Sequence, residues 1–198
     1  MKNKTWMKIS LITLLIGITF IYGLYERNKF IKMDEENLSS PVLKTMPDFN
    51  LVSFPDSQPV SSNDFRGKYR GLFLHIWGSW CGPCEEEMPQ FLKYARKIEN
   101  EGVYFLLVAV NDSPEKVDKF MKRYGQLPKN LSIALDVNNK FMETFGTFKV
   151  PETFLFDSQS KNVNKFVGPQ DWLAPSYVTR LNTWLGEKPV MMKPVETH

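Results

Sequence analysis

"HIWGSWCGPCEEEMP", residues 75–89, holds both cysteines of the chain, Cys81 and Cys84, with only Gly82 and Pro83 between them. Immediately upstream, GLFLHIW (71–77) is an apolar run of strand length. Downstream, Met88, Phe91, Leu92, Ala95 and Ile98 recur at helical spacing and predict an amphipathic helix over residues 82–100. The cysteines therefore sit where a buried strand hands over to a helix N-terminus. Three chemistries compete for such a pair. A structural zinc site needs four ligands, and besides the cysteines the chain offers only His75, inside the strand, and His198, at the far C-terminal end. A structural staple across two intervening residues closes too short a loop to remove much unfolded-chain entropy. A redox dithiol needs one thiol held as thiolate and a second within reach. The unpaired N–H groups and positive dipole end of a helix N-terminus favour a thiolate at Cys81, expected exposed at the helix mouth. Cys84, one turn in and shielded, is placed to resolve a mixed disulfide. Pro83 fits the first helical turn, whose N–H is unpaired anyway.

Working outward, VYFLLVAV (103–110) reads as a second buried strand. SPEKVDKFMKRYG (113–125) reads as a helix with a Ser cap, Pro at its first position and Gly at its end. LSIAL is a short strand, NNKFMETFG a short helix ending at Gly146, and ETFLFD and NVNKFVG two strands joined by the turn SQSK. PSYVTRLNTWLG (175–186) is a last helix closed by Gly. Before the first buried strand, MPDFNLVSF and QPVSSNDFRGK around PDSQ suggest an irregular hairpin. The expectation is an α/β fold with a central mixed sheet covered by helices on both faces and an N-terminal hairpin extension.

Charge separates the ends of the molecule. The formal net charge is +3, but six of the basic side chains and only one acid, Glu26, lie within residues 1–33, leaving the body slightly acidic at −2. No clustered Lys/Arg footprint for nucleic acid is evident in that body. Ile9–Tyr25 is uncharged over 17 residues and is preceded by Lys2, Lys4 and Lys8, which suits a short membrane-spanning helix of roughly 17–25 residues. The run ends in bulky and then charged residues rather than an A-x-A-like cleavage site, favouring an uncleaved signal-anchor over a cleaved signal peptide. A cytoplasmic basic N-terminus would place the body outside the cytoplasmic membrane, in a disulfide-permissive compartment. The expected organisation is an anchor over 1–25, a charged linker over 26–45, a folded domain over 46–186 and a loose tail over 187–198.

WCGPC at a strand–helix junction resembles the active-site motif of the thioredoxin fold family, with Pro89 five residues after Cys84 where members carry a helix proline, and VPETFLFD resembling the segment that carries a cis proline. The resemblance implies that Pro151 is that cis proline and that the Val150 backbone lies beside the cysteines, ready for strand-like pairing with a substrate. With the anchor, the PDFNL…FRGK hairpin and the LSIALDVNNKFMETFG segment, residues 46–186 are most similar to the membrane-anchored extracytoplasmic TlpA/ResA/CcmG (DsbE)-like group. That likeness implies a reductant of disulfides in extracytoplasmic proteins, apocytochrome c foremost, recharged by a membrane thiol reductase and needing no cofactor beyond the cysteine pair. Copper-site assembly and general disulfide rescue are alternative uses of the same chemistry. A peroxiredoxin-like peroxidase and a Sco-like metallochaperone fit less well, because GSWCGPC is not a peroxidatic loop and the metallochaperone pattern is CxxxC with a distant His.

The remaining candidates are weighed residue by residue. Glu85, Glu86 and Glu87 suit a helix N-terminus electrostatically; Glu87 also matches an acid that the resemblance implicates in proton transfer to the thiols. His75 departs from the Asp or Asn that the family carries six positions before the first Cys. It reads either as a neutral, hydrogen-bonded core histidine or as a proton shuttle for Cys84. Trp80 is expected on the substrate platform and Trp77 in the core. Glu152 either faces substrate or is a solvated acid. Phe145, Phe148, Phe154 and Phe156 are expected in the core.

Overall fold

The computed structural model describes residues 15, 17–24 and 43–186. The chain divides after Val42. Residues 17–24 are helical, and among the described residues no helix is long and apolar enough to cross a membrane. The anchor expected over 1–25, most of the linker and the tail lie wholly or largely outside the described residues.

From Leu43 onward the chain forms one sheet. Its strands are β1 (Asn50–Phe54), β2 (Pro59–Ser61), β3 (Gly71–Trp77), β4 (Val103–Ala109), β5 (Leu131–Leu135), β6 (Glu152–Asp157) and β7 (Asn162–Val167). The spatial order is β2-β1-β5-β4-β3-β6-β7. Strand β3 is central and buried along its whole length, as its near-continuous apolar sequence requires of a strand covered on both faces. It pairs in parallel with β4, from Gly71 opposite Val103 to Trp77 opposite Ala109. On its other side it pairs antiparallel with β6, where His75 faces Thr153. Strands β4 and β5 are parallel; β1 joins β5, and β7 joins β6, antiparallel.

The two parallel crossovers are helical: α1 (Gly82–Lys97) links β3 to β4 and α2 (Pro114–Met121) leads from β4 towards β5. Right-handed crossovers stepping in the same direction put both helices on one face. Side-chain alternation in β3 confirms the partition. Phe73 and Trp77 pack with Phe91 and Leu92 of α1 and Val117 and Phe120 of α2. Leu72, Leu74 and Ile76 face the opposite core, which contains Phe141 and Phe145 of α3 (Phe141–Phe145). The expected mixed sheet with a helix layer on each face is thus observed.

Some boundaries differ from expectation. The helix expected over 113–125 tightens into a 3₁₀ turn at Lys122–Tyr124 before Gly125, a common way to finish a helix. The single helix expected over 175–186 is two short ones, α4 (Pro175–Thr179) and α5 (Leu181–Leu185). There the Thr179 hydroxyl bonds back to the Pro175 carbonyl at 3.3 Å, a side-chain competition that weakens a helix. Phe148 is not core: it is 90% exposed, whereas Phe145, Phe154 and Phe156 are buried. Gly146 ends α3 in the left-handed region at φ 61°, so the chain has left the helix phase that would have turned Phe148 inward. Thr147 is buried instead.

Candidate active site

Cys81 is the N-cap of α1, and its sulfur lies 3.2 Å from the Cys84 backbone N–H. That N–H is one of the donors a helix start leaves unpaired, and its alignment on Sγ is the arrangement that stabilises a thiolate. The two cysteines form a disulfide with Cα atoms 5.2 Å apart. Cys84 is fully buried; Cys81, expected exposed, is only 5% accessible. The Val150 carbonyl oxygen, 3.7 Å from the Cys81 sulfur, closes one side of it. The Val150–Pro151 peptide is cis, and so is Phe54–Pro55 in the N-terminal hairpin.

The turn between β3 and α1 is fastened to the end of β4. Asp112 accepts hydrogen bonds from the Ser79 backbone N–H at 2.6 Å and the Ser79 hydroxyl at 2.9 Å. The Trp80 indole N–H donates to the Val110 carbonyl at 3.1 Å. Gly78 is required here, since a Cβ would fall 2.5 Å from the Trp80 indole nitrogen. Trp80 remains 54% exposed, and Trp77, by contrast, is fully buried against Phe120 at 4.8 Å between ring centroids.

Beneath the cysteines lies a polar cluster in the aromatic core. His75 is fully buried, stacked on Phe91 at 4.4 Å, with Nδ1 2.8 Å from the Thr153 hydroxyl. Glu87, one turn beyond Cys84 on α1, is also buried. Its Oε2 accepts from the Gln170 backbone N–H at 2.9 Å and from the Trp172 indole N–H at 2.8 Å. Its Oε1 faces His75 Nε2 at 3.7 Å, too far for a hydrogen bond, and neither of these two atoms has another partner among the described residues. Burial pushes the His75 pKa down to about 3. Burial also raises that of Glu87, against the opposing effect of its two donors. A histidine with so low a pKa is neutral at physiological pH, so the pair is not an ion pair. The tautomer with the proton on Nε2 points it at Glu87 and lets Nδ1 accept from Thr153. Thr153 thus supplies the partner that a buried neutral histidine needs.

Glu152 is neither solvated nor free to meet a substrate. It is buried, accepts from the Thr147 hydroxyl and pairs with Lys165 Nζ at 2.9 Å. Lys165 in turn lies over the Phe154 ring at 5.0 Å. This tie braces both ends of the loop carrying Val150 and Pro151. Glu85, in the first turn of α1, pairs with Arg123.

The sequence did not point to Asp112, Thr147, Gln170, Thr153 or Trp172. Asp112 stands beside the Ser113-Pro114 helix start and was legible only as a turn residue. Gln170 and Trp172 lie in a loop without periodicity, and only the folded chain brings them to α1.

A buried strand ending in a two-cysteine turn at a helix start, beside a cis proline, defines a thiol–disulfide oxidoreductase of thioredoxin-like fold. Residues 41–181 match the Redoxin family. The chain belongs to that family and is a thiol–disulfide oxidoreductase homologous to ResA. Thiol-disulfide oxidoreductase ResA of Bacillus cereus (strain ATCC 10987 / NRS 248) is 26% identical over 172 residues, spanning 85% of this chain and 91% of its own. ResA of Geobacillus thermodenitrificans (strain NG80-2) is 34% identical over 126 residues, 64% of this chain and 69% of its own. Among solved structures, the thiol:disulfide interchange protein, thioredoxin family protein, of Chlorobium tepidum TLS shares the fold, with TM-score 0.58 at 23% identity over 72% of this chain and 97% of that one.

Proposed function

We propose that this enzyme is a membrane-tethered, extracytoplasmic reductant of protein disulfides, with apocytochrome c as its leading client, recharged by a membrane thiol reductase. The observation that carries the reading is the Cys81 sulfur at the start of α1, facing the Cys84 N–H with Cys84 buried behind it. In the reduced protein Cys81 attacks the substrate disulfide as thiolate, forming a mixed disulfide and expelling one substrate sulfur, which takes up a proton. Cys84 then attacks Cys81; the Cys81–Cys84 bond forms, and the second substrate sulfur leaves and is protonated. Two electrons and two protons pass to the substrate, and no cofactor is needed.

Direction is argued from charge. Glu85 in the first turn of α1, although paired with Arg123, and Glu86 next to it add acidic groups near Cys81 that oppose anion formation there, so the reduced form lacks the strong stabilisation that makes an oxidant. Glu87, one turn beyond Cys84 with its pKa raised by burial, serves as the proton-handling group. Val150 and Trp80 form the substrate platform, with Pro151 setting the course of the Val150 backbone. The uncharged run Ile9–Tyr25 behind three lysines supports the membrane tether.

The test is trapping. With Cys84→Ser in membranes, Cys81 should accumulate mixed disulfides with client proteins, identifiable after reduction. Absence of any adduct through Cys81, or peroxide turnover outpacing disulfide reduction in the wild type, would overturn the reading.

A further inference from the structure

Beside the disulfide, a cleft of about 420 Å³ opens between α2 and the start of α1, lined by Ser79, Glu85, Lys116, Lys119, Phe120 and Arg123. Ser79 lies two residues before Cys81, and Glu85 directly follows Cys84, so the cleft adjoins the reactive turn. Lys116, Lys119, Phe120 and Arg123 share a helical face, since residues three, four and seven apart project the same way. Phe120 is buried beneath this face against Trp77, and Arg123 stacks over its ring at 4.3 Å.

The charges here are unevenly satisfied. Glu85 is paired with Arg123, and Asp118 with Lys122 at 2.5 Å. Asp112 is engaged by Ser79 and by the Ser113 N–H, and Glu115 by Ser113. Lys116 and Lys119 are exposed and have no ion pair among the described residues. On a body whose net charge is negative, this leaves two ammonium groups without a paired carboxylate at the rim of the site.

We propose that this cleft is a subsite for acidic side chains lying within a few residues of the reactive disulfide of the protein substrate. The inference rests on the protein-disulfide reading above. A Glu or Asp on the substrate meets Lys116 and Lys119. The contact adds no chemistry. It selects which disulfides the Cys81 thiolate meets, and its charge raises the rate of productive encounter.

The full chain, reduced and freed of reductant, is mixed with three peptides that carry the same intramolecular disulfide flanked by two Glu, two Gln or two Lys. The second-order rate of peptide reduction is read at low and at high salt. Exposed pairs of this kind imply a preference of about threefold to tenfold for Glu over Lys, with Gln between, shrinking as salt screens it. K116E/K119E should reverse the order, and K116R/K119R should keep it. Equal rates, a preference for the Lys peptide, or an order unchanged in K116E/K119E would overturn the subsite while leaving the reductase reading intact. Failure to reduce any of the three would instead strike the reductase reading itself.

Discussion

Replacing His75 with Asn tests the state of the buried cluster through a pH dependence whose size follows from the structure. A neutral His75 with a folded pKa of about 3 differs from its unfolded counterpart at about 6.5. Between those values the unfolded chain binds the extra proton, so stability falls as pH drops from about 6.5 towards 3. From pH 7 to pH 5 the loss depends almost wholly on the unfolded value, because the folded histidine stays neutral throughout. It comes to about 2 kcal/mol for this one group. Urea unfolding of the oxidised protein, in which neither thiol titrates, should show wild type losing that much more than His75→Asn between the two pH values. The absolute stability of the variant does not matter, since the reading is the difference in slope. Parallel curves would refute the neutral buried histidine. A wild type that gains stability relative to the variant on acidification would show instead that His75 is protonated and paired with Glu87 across the 3.7 Å gap.

Glu87 should behave with the opposite sign. Its folded pKa is raised, so the fold favours the protonated form and stability falls as pH rises above the ordinary value near 4.5. Glu87→Gln keeps an oxygen for the Gln170 and Trp172 donors and does not titrate. The variant should gain on wild type as pH rises through that range, measured in the same urea series; a difference constant with pH would contradict this. Asp112→Ala removes the acceptor of two hydrogen bonds from Ser79 and one from Ser113. It should cost about 2–3 kcal/mol and slow disulfide reduction by loosening the turn before Cys81; unfolding curves that overlay wild type would contradict the clamp.

Much of this architecture was legible because a few signals were local and strong. The uninterrupted apolar strand at 71–77, the helical spacing of Met88, Phe91, Leu92 and Ala95, and the Ser113-Pro114 helix start each specify an element without knowledge of the rest. The cysteine spacing marked the reactive centre in the same way, whereas the Val150-Pro151 segment was reached through the family resemblance. What escaped was set by contacts distant in sequence. Glu87 meets Trp172 85 positions away, and His75 meets Thr153 78 positions away. Glu152 reads as a surface acid until β7 brings Lys165 across from the neighbouring strand. Phe148 was misjudged because hydrophobicity alone does not reveal where a glycine-ended helix releases its chain.

The hairpin β1–β2 bears on how the edge of the sheet meets other polypeptides. Without it, β5 would present the free flank of a parallel, apolar pair, a template onto which an extended polypeptide could add. β1 occupies that flank, and the sheet ends on β2, three residues long and opening on Pro59, which cannot donate to a further strand. An extended polypeptide thus finds a poor foothold at this border of a thiol–disulfide oxidoreductase, and the sheet offers little to hold a protein away from the disulfide.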